Sequence, residues 1–405
     1  MMDGQKTKVC VNVSSDSVQE SNYILRRLYE EISKAGPIGW QFMPERRGND
    51  IFVGYTNWGE LYLHYKKKGC IDKICFFNID EKNIPIIENA INIANQDHNT
   101  FSAYSVRVEF NTGDILFREM AKNQIYFCGE RNDDGNNRLS ISFNVEAFGD
   151  YDIQYIANQK INYLKILLSA YTNILFDYPK IEIARGSQEY PDIDWPDYDE
   201  DWIDDFFGPA GKEAATLLPD FFALLRLTID NDYYNENMKL VLNAAQDYYC
   251  SLLMRKRLIY DNSDNIPGIV DTINTMLIST LEPLSCINKD KPEICPTCGN
   301  KVYKISAHIR DLCEKYLGKY IAKDIVAKGY SYRSSFLHEG HARTNEFFSG
   351  RFYPQIDPVS QNEMLWVVPL LETNTFDFVS YVFRKVVRDW LIELNSSSKK
   401  KDKYK

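Results

Sequence analysis

With 405 residues, 44% of them hydrophobic and 26% charged, the chain has room for two or three domains that each bury a core. Its longest apolar run, Met364–Leu371, falls far short of the ~18 residues a membrane span needs, so no membrane partner is expected. Nine cysteines, odd in number and scattered, read against a secreted disulfide framework, and a cytoplasmic location is expected.

Residues 1–180 read as an α+β domain. Ile24, Leu25, Leu28 and Ile32 put one apolar face on a helix over Asn22–Lys34. Asp50–Gly54, Gly59–Tyr65 and Lys73–Phe77 suit short strands, and Pro85–Asn95 suits a helix. Ala103–Phe110, Gln124–Cys128 and Arg138–Phe143 suit further strands, separated by Asn/Asp/Gly turn chemistry. Ile161, Leu164, Leu168, Tyr171 and Leu175 then recur at helical spacing within Gln154–Phe176. His64 and His98 stand alone in this half and read as structural or solvated.

Residues 181–211 form an acidic, aromatic linker: Glu189–Asp205 holds nine acids and no base. Its plain reading is an extended segment whose aromatics dock on a neighbouring domain. The alternative is a nucleic-acid mimic that closes a basic groove and inhibits the chain. The formal charge of −10 is therefore local, because Gly299–Arg343 carries nine Lys and Arg against four acids.

From residue 212 to 395 the pattern is helical, with candidates at Ala214–Ile229, Asn235–Tyr260, Ile269–Leu284, Ile305–Leu317, Tyr320–Ala327 and Thr375–Leu394. A Cys-rich insertion at 286–313 interrupts them. Cys295-Pro-Thr-Cys298-Gly has the form of a tight thiolate turn, and His308 and Cys313 follow it, so Cys295, Cys298, His308 and Cys313 make a candidate structural zinc site. Cys286 is the substitute if His308 or Cys313 points away. Four protein ligands leave no open position, so no metal is expected in catalysis. The last ten residues, 396–405, hold five lysines and no core residue and read as a disordered tail.

Tyr330-Ser-Tyr-Arg333-Ser-Ser-Phe-Leu-His338-Glu-Gly-His341 places an arginine and a histidine five apart. A guanidinium holds a phosphate through two parallel hydrogen bonds, and an imidazole passes protons near neutral pH. His338 and His341 are three apart, not the four of a helical zinc-protease motif, which rejects that reading.

With the aromatic at Tyr332, the Arg333-x4-His338 signature resembles the HEPN superfamily, and within it the Apea-like HEPN domains. Leu281-Glu282-Pro-Leu284 resembles their second-helix acidic position, and Phe378–Leu394 their closing helix. The resemblance spans residues 212–395. It implies an all-α HEPN-type bundle following the α+β domain, with the zinc-binding insertion. It also implies a metal-independent endoribonuclease, active as a homodimer, in a toxin or phage-defence system. Arg333 and His338 would then be catalytic, and RNA the substrate, cut by its own 2′-hydroxyl to a 2′,3′-cyclic phosphate and a 5′-hydroxyl. The N-terminal domain would meet a trigger or inhibitor protein. Two departures stand out: Glu339 follows the histidine where the family often has glycine, and Gly340 stands where one variant has a modified tyrosine. A non-catalytic scaffold or an RNA-binding regulator is the rival reading.

Overall fold

The computed structural model describes residues 7–36, 39–47, 50–67, 69–131, 135–177, 179–193, 204–206, 208–209, 214–230, 235–260, 269–288, 293–294, 301–302, 304–323, 328–339 and 373–402. In chain order, β1 (Lys8–Asn12), α1 (Val18–Ala35), β2 (Trp40–Arg47), β3 (Asp50–Thr56), β4 (Gly59–Lys67), β5 (Cys70–Phe77) and α2 (Ile84–Gln96) come first. They are followed by β6 (Ser102–Gly113), β7 (Met120–Lys122), β8 (Ile125–Arg131), β9 (Asn137–Ala147), α3 (Asp150–Thr172) and β10 (Lys180–Arg185). The remainder is α4 (Pro219–Asp230), α5 (Glu236–Tyr260), α6 (Ile269–Ser279), α7 (Leu281–Ser285), β11 (Glu293–Ile294), β12 (Lys301–Val302), α8 (Ile305–Leu317), α9 (Lys319–Ile321), α10 (Lys328–Glu339) and α11 (Thr373–Asp402). The fold is α+β, with two five-stranded sheets. No helix among the described residues is long and apolar enough to cross a membrane.

Two compact units divide the chain: Met1–Val106 with Asn144–Gln159 and Ile183–Gln188, and Arg107–Phe143 with Lys160–Glu182 and Glu189–Lys405. In the first, strands order β1-β5-β4-β3-β2, antiparallel throughout. Side chains alternate across a strand, so Leu61 and Leu63 of β4 and Ile74 and Phe76 of β5 point to one face. There they bury against Ile24, Leu28 and Ile32 of α1 and Ile87 and Ile91 of α2. Tyr62, His64, Lys73, Cys75 and Phe77 take the other face. Ser17 starts α1 by accepting from Glu20 N at 3.0 Å, and the Glu20 carboxylate returns to Asp16 N at 2.7 Å. His98 is 8% exposed and bridges Asn95 O and the Glu20 carboxylate at 3.0 and 3.2 Å, a structural tie between α2 and α1.

Glu30, 1% exposed on α1, accepts from Tyr151 N and Asp152 N, both at 2.9 Å, and so caps α3. Gly149 makes room for it, because a Cβ there would lie 2.0 Å from Glu30 Oε1. Cys10 and Cys75, partners in the β1–β5 register, form a disulfide. The scattered cysteine pattern hid this bridge.

The second sheet orders β10-β6-β9-β8-β7. The expected all-α bundle is not a unit by itself, since residues 107–143 and the helices from α4 onward share one compact unit. The physical reason lies before α4. Ala215 N donates to Leu116 O at 2.7 Å and Arg118 N to Ala215 O at 2.9 Å, so the chain enters the helices paired to the strand region. Phe222 of α4 then packs on Phe127 of β8, ring centroids 4.8 Å apart. Pro219 opens α4 where its missing N–H costs nothing, so the helix begins five residues later than the Ala214 start expected from the sequence. In α11, Arg384 is 1% exposed and donates to Tyr171 O, Ser380 Oγ and Asp205 O. That helix runs to Asp402, through residues whose composition suggested a tail: a nucleated helix extends cheaply through Ser and Lys.

Candidate functional site

Four helices contribute to the surroundings of Arg333. α6 stops at Thr280 and α7 restarts with Pro283 in its first turn, where proline is tolerated. Leu281 and Leu284 of α7 are each 1% exposed, and Glu282 between them is half-buried. α10 lies close to α6 because residue 329 is glycine: a Cβ there would meet Ile278 Cδ1 at 2.7 Å.

Arg333 of α10 donates through Nε to Ser279 Oγ at 2.8 Å and through Nη2 to Glu282 Oε2 at 3.1 Å. Its Nη1 lies 2.9 Å from Glu282 Oε1. That second approach lacks hydrogen-bond alignment, so Oε1 is a buried acceptor with charge contact but no hydrogen bond. The guanidinium also lies 5.8 Å from the Tyr330 ring centroid. Burial pushes the Glu282 carboxyl above its ordinary value, opposed by Arg333. Asp247 of α5 responds alike: burial raises it first, the Glu282 charge adds to that, and Arg333 opposes both. Two half-buried carboxyls therefore compete for one cation. Asp247 falls at helical spacing between buried Ala244 and Ser251, and an acid on that line was the available signal that sequence reading missed.

His338 stands on the same helix but is exposed, whereas Arg333 is half-buried. Five residues at 100° each leave the two about 140° apart around the axis. Within one chain they do not meet. Ser335 Oγ donates to Glu339 Oε2 at 3.0 Å, which engages the residue after the histidine. Gly340 and His341 lie outside the described residues, as does the side chain of Tyr332.

Of the candidate zinc ligands, Cys295 and Cys298 also lie outside the described residues, flanked by the paired strands β11 and β12. His308 and Cys313 share α8, again five apart and about 140° around the helix. His308 is half-exposed and Cys313 is 0% exposed, its thiol pushed up to about 12 by burial. An unbroken α8 does not bring these two to one ion. Among the described residues no group of three or more Cys, His, Asp or Glu is arranged to hold a metal.

The described parts of the acidic linker are docked. Asp192 accepts from Lys122 Nζ at 2.7 Å, Asp204 pairs with Lys385 of α11, and the Phe206 ring packs on Tyr381 at 4.8 Å. Residues 194–203 lie outside the described set. The chain matches no family model, no curated protein and no solved structure.

Proposed function

We propose that this chain is a metal-independent endoribonuclease of HEPN type, acting as a homodimer. The observation that carries the reading is the fork between Arg333 and Glu282: the motif arginine meets the acid on the helix pair where the resemblance puts one. His338 is exposed at the far end of the same helix, open to a substrate. Because the two side chains point about 140° apart, a complete site takes them from facing copies. There, His338 removes the 2′-hydroxyl proton or supplies one to the departing 5′-oxygen. Arg333 stabilises the non-bridging oxygens as charge builds on phosphorus. The bond from 2′-oxygen to phosphorus forms as that to the 5′-oxygen breaks, leaving a cyclic phosphate and a 5′-hydroxyl. DNA lacks the nucleophile and stays intact. The toxin or phage-defence role and the trigger-sensing N-terminal domain belong to this proposal, as does a cytoplasmic location.

A structural zinc held by Cys295, Cys298 and either His308 or Cys313, with Cys286 as the remaining thiol, completes it. No cleavage step runs through the ion. Cys295→Ser should release one equivalent on metal analysis.

One observation favours the rival, non-catalytic scaffold. Arg333 already spends its donors on Ser279 and Glu282, as a structural arginine does. The clean variant is therefore His338→Ala, since an exposed side chain contributes within about 0.5 kcal/mol to stability. Purified wild type should cut single-stranded RNA in excess chelator, and His338→Ala should lose at least a hundredfold while unfolding at the same urea midpoint. Equal cutting by both would reject the nuclease.

A further inference from the structure

The open face of the first sheet carries the Cys10–Cys75 bridge beside a groove of about 420 Å³, within the range of small-molecule sites. Cys75 and Phe77 of β5 line it with Lys8 of β1, Lys73 of β5 and Tyr62 and His64 of β4. We propose that this is a thiol–disulfide exchange site for a low-molecular-weight thiol bearing carboxylates, and that the redox state of the pair sets how firmly the edge strand β1 is held.

Three independent observations carry this. The first is access. Cys10 is exposed on an edge strand, whereas Cys75 is 8% exposed, so an incoming sulfur reaches Cys10 first. Exposed disulfides are the labile ones. The second is charge. Lys8 pairs in register with Phe77 and Asn12 with Lys73, so the two lysines flank the Cys10–Cys75 rung on either side. The Lys8 ammonium lies 4.7 Å from the Phe77 ring centroid, and among the described residues neither Lys8 nor Lys73 has an ion pair. The carboxylates of the groove stand further off: Glu60 lies on β4 opposite Phe77 and Asp50 on β3 opposite His64, one and two strands beyond β5, while Asp72 lies 2.6 Å from His64 Nδ1. Asp50 is exposed at the rim. Two ammoniums beside a disulfide attract an anionic thiol and ease departure of a thiolate. The third is topology. Among the described residues β5 is the one sheet neighbour of β1, so once the bridge opens the strand is held by a five-residue ladder and by the packing of Val9 and Val11 into the core.

The steps balance. A thiolate attacks Cys10 Sγ, the Cys10–Cys75 bond breaks, and the electron pair leaves on Cys75, which takes a proton from solvent. A second thiolate attacks the sulfur of the bound thiol, and Cys10 leaves and is protonated in turn. The protein disulfide is reduced by two electrons, and two thiols are oxidised to their disulfide.

The test uses the full chain in reduced and oxidised glutathione, followed by alkylation quenching and peptide mass mapping, which separates Cys10 and Cys75 from the free Cys128, Cys250 and Cys286. The native protein should interconvert between bridge and dithiol. Cys75→Ser should trap a mixed disulfide on Cys10 at least tenfold faster than Cys10→Ser traps one on Cys75. The Lys8→Gln/Lys73→Gln variant should slow exchange about tenfold with glutathione, yet within twofold with neutral 2-mercaptoethanol. Reduction only at the rate of urea unfolding would overturn the proposal. Equal slowing for both thiols, or equal trapping at both cysteines, would overturn it as well.

Discussion

Arg333→Ala is the variant that most directly tests the reading of the helix cluster. It removes a guanidinium that lies 2.9 and 3.1 Å from two oxygens of Glu282 and 2.8 Å from Ser279 Oγ. At an effective dielectric near 20, two charges about 4 Å apart attract by ~4 kcal/mol before desolvation is counted. The side chains keep 17% and 23% exposure, so part of that attraction is screened. A fully buried pair broken on one side costs about 3–5 kcal/mol, which sets this one at about 2–3. The loss also leaves Glu282 and Asp247 without their shared cation. The assay is urea unfolding by far-UV circular dichroism at pH 7, where the midpoint should fall at unchanged slope. Glu282→Gln alone should cost under about 1 kcal/mol, because an amide still accepts from the guanidinium and no longer repels Asp247. Combined with Arg333→Ala it should restore about 1–2 kcal/mol of the loss. Strict additivity, within about 0.5 kcal/mol, would refute a coupled pair.

Asp247→Asn should stabilise the protein at pH 7. Burial holds the Asp247 carboxyl above its ordinary 3.8, so its contribution is full below that value and is lost as pH rises through the folded one. The variant should flatten the fall in stability above pH 4, and an unchanged pH profile would count against the cluster. Gly149→Ala should cost about 1–3 kcal/mol, because a Cβ 2.0 Å from Glu30 Oε1 pushes the carboxylate off the Tyr151 and Asp152 amides. Gly39→Ala, with nothing within 4 Å, is its neutral control in thermal unfolding. The Cys10→Ser/Cys75→Ser protein should lose about 2–4 kcal/mol in non-reducing urea, since the bridge closes a loop of sequence separation 65. A midpoint equal to oxidised wild type would contradict a formed bridge.

What could be read in the sequence follows from how local each signal is. α1 and α5 carry long apolar stripes, and β4 alternates through Leu61, Tyr62, Leu63 and His64, so both periods were visible. β2 was not: Trp40–Arg47 has Pro44, two arginines and a register shift against β3, chemistry that an edge strand tolerates and a pattern search rejects. β1 is five residues long, and its pairing with β5 is what reveals it as a strand. The disulfide depends on a contact between residues far apart in the chain, invisible to spacing. At the candidate site, Arg333 and its acid Glu282 were both legible from local motifs. Asp247 arrives from a helix dozens of residues upstream, and the opposed directions of Arg333 and His338 follow from helix phase alone.

The carboxylate of Glu30 has a consequence for cooperativity. The first turn of α3 is closed by a side chain that precedes it by more than a hundred positions in the chain. Two distant segments thus share a single opening event, and neither frays alone without abandoning the same buried acid. The Tyr151 and Asp152 amides are therefore built-in reporters: their protection from solvent deuterium should track the integrity of α1, and both should exchange together when that helix comes loose.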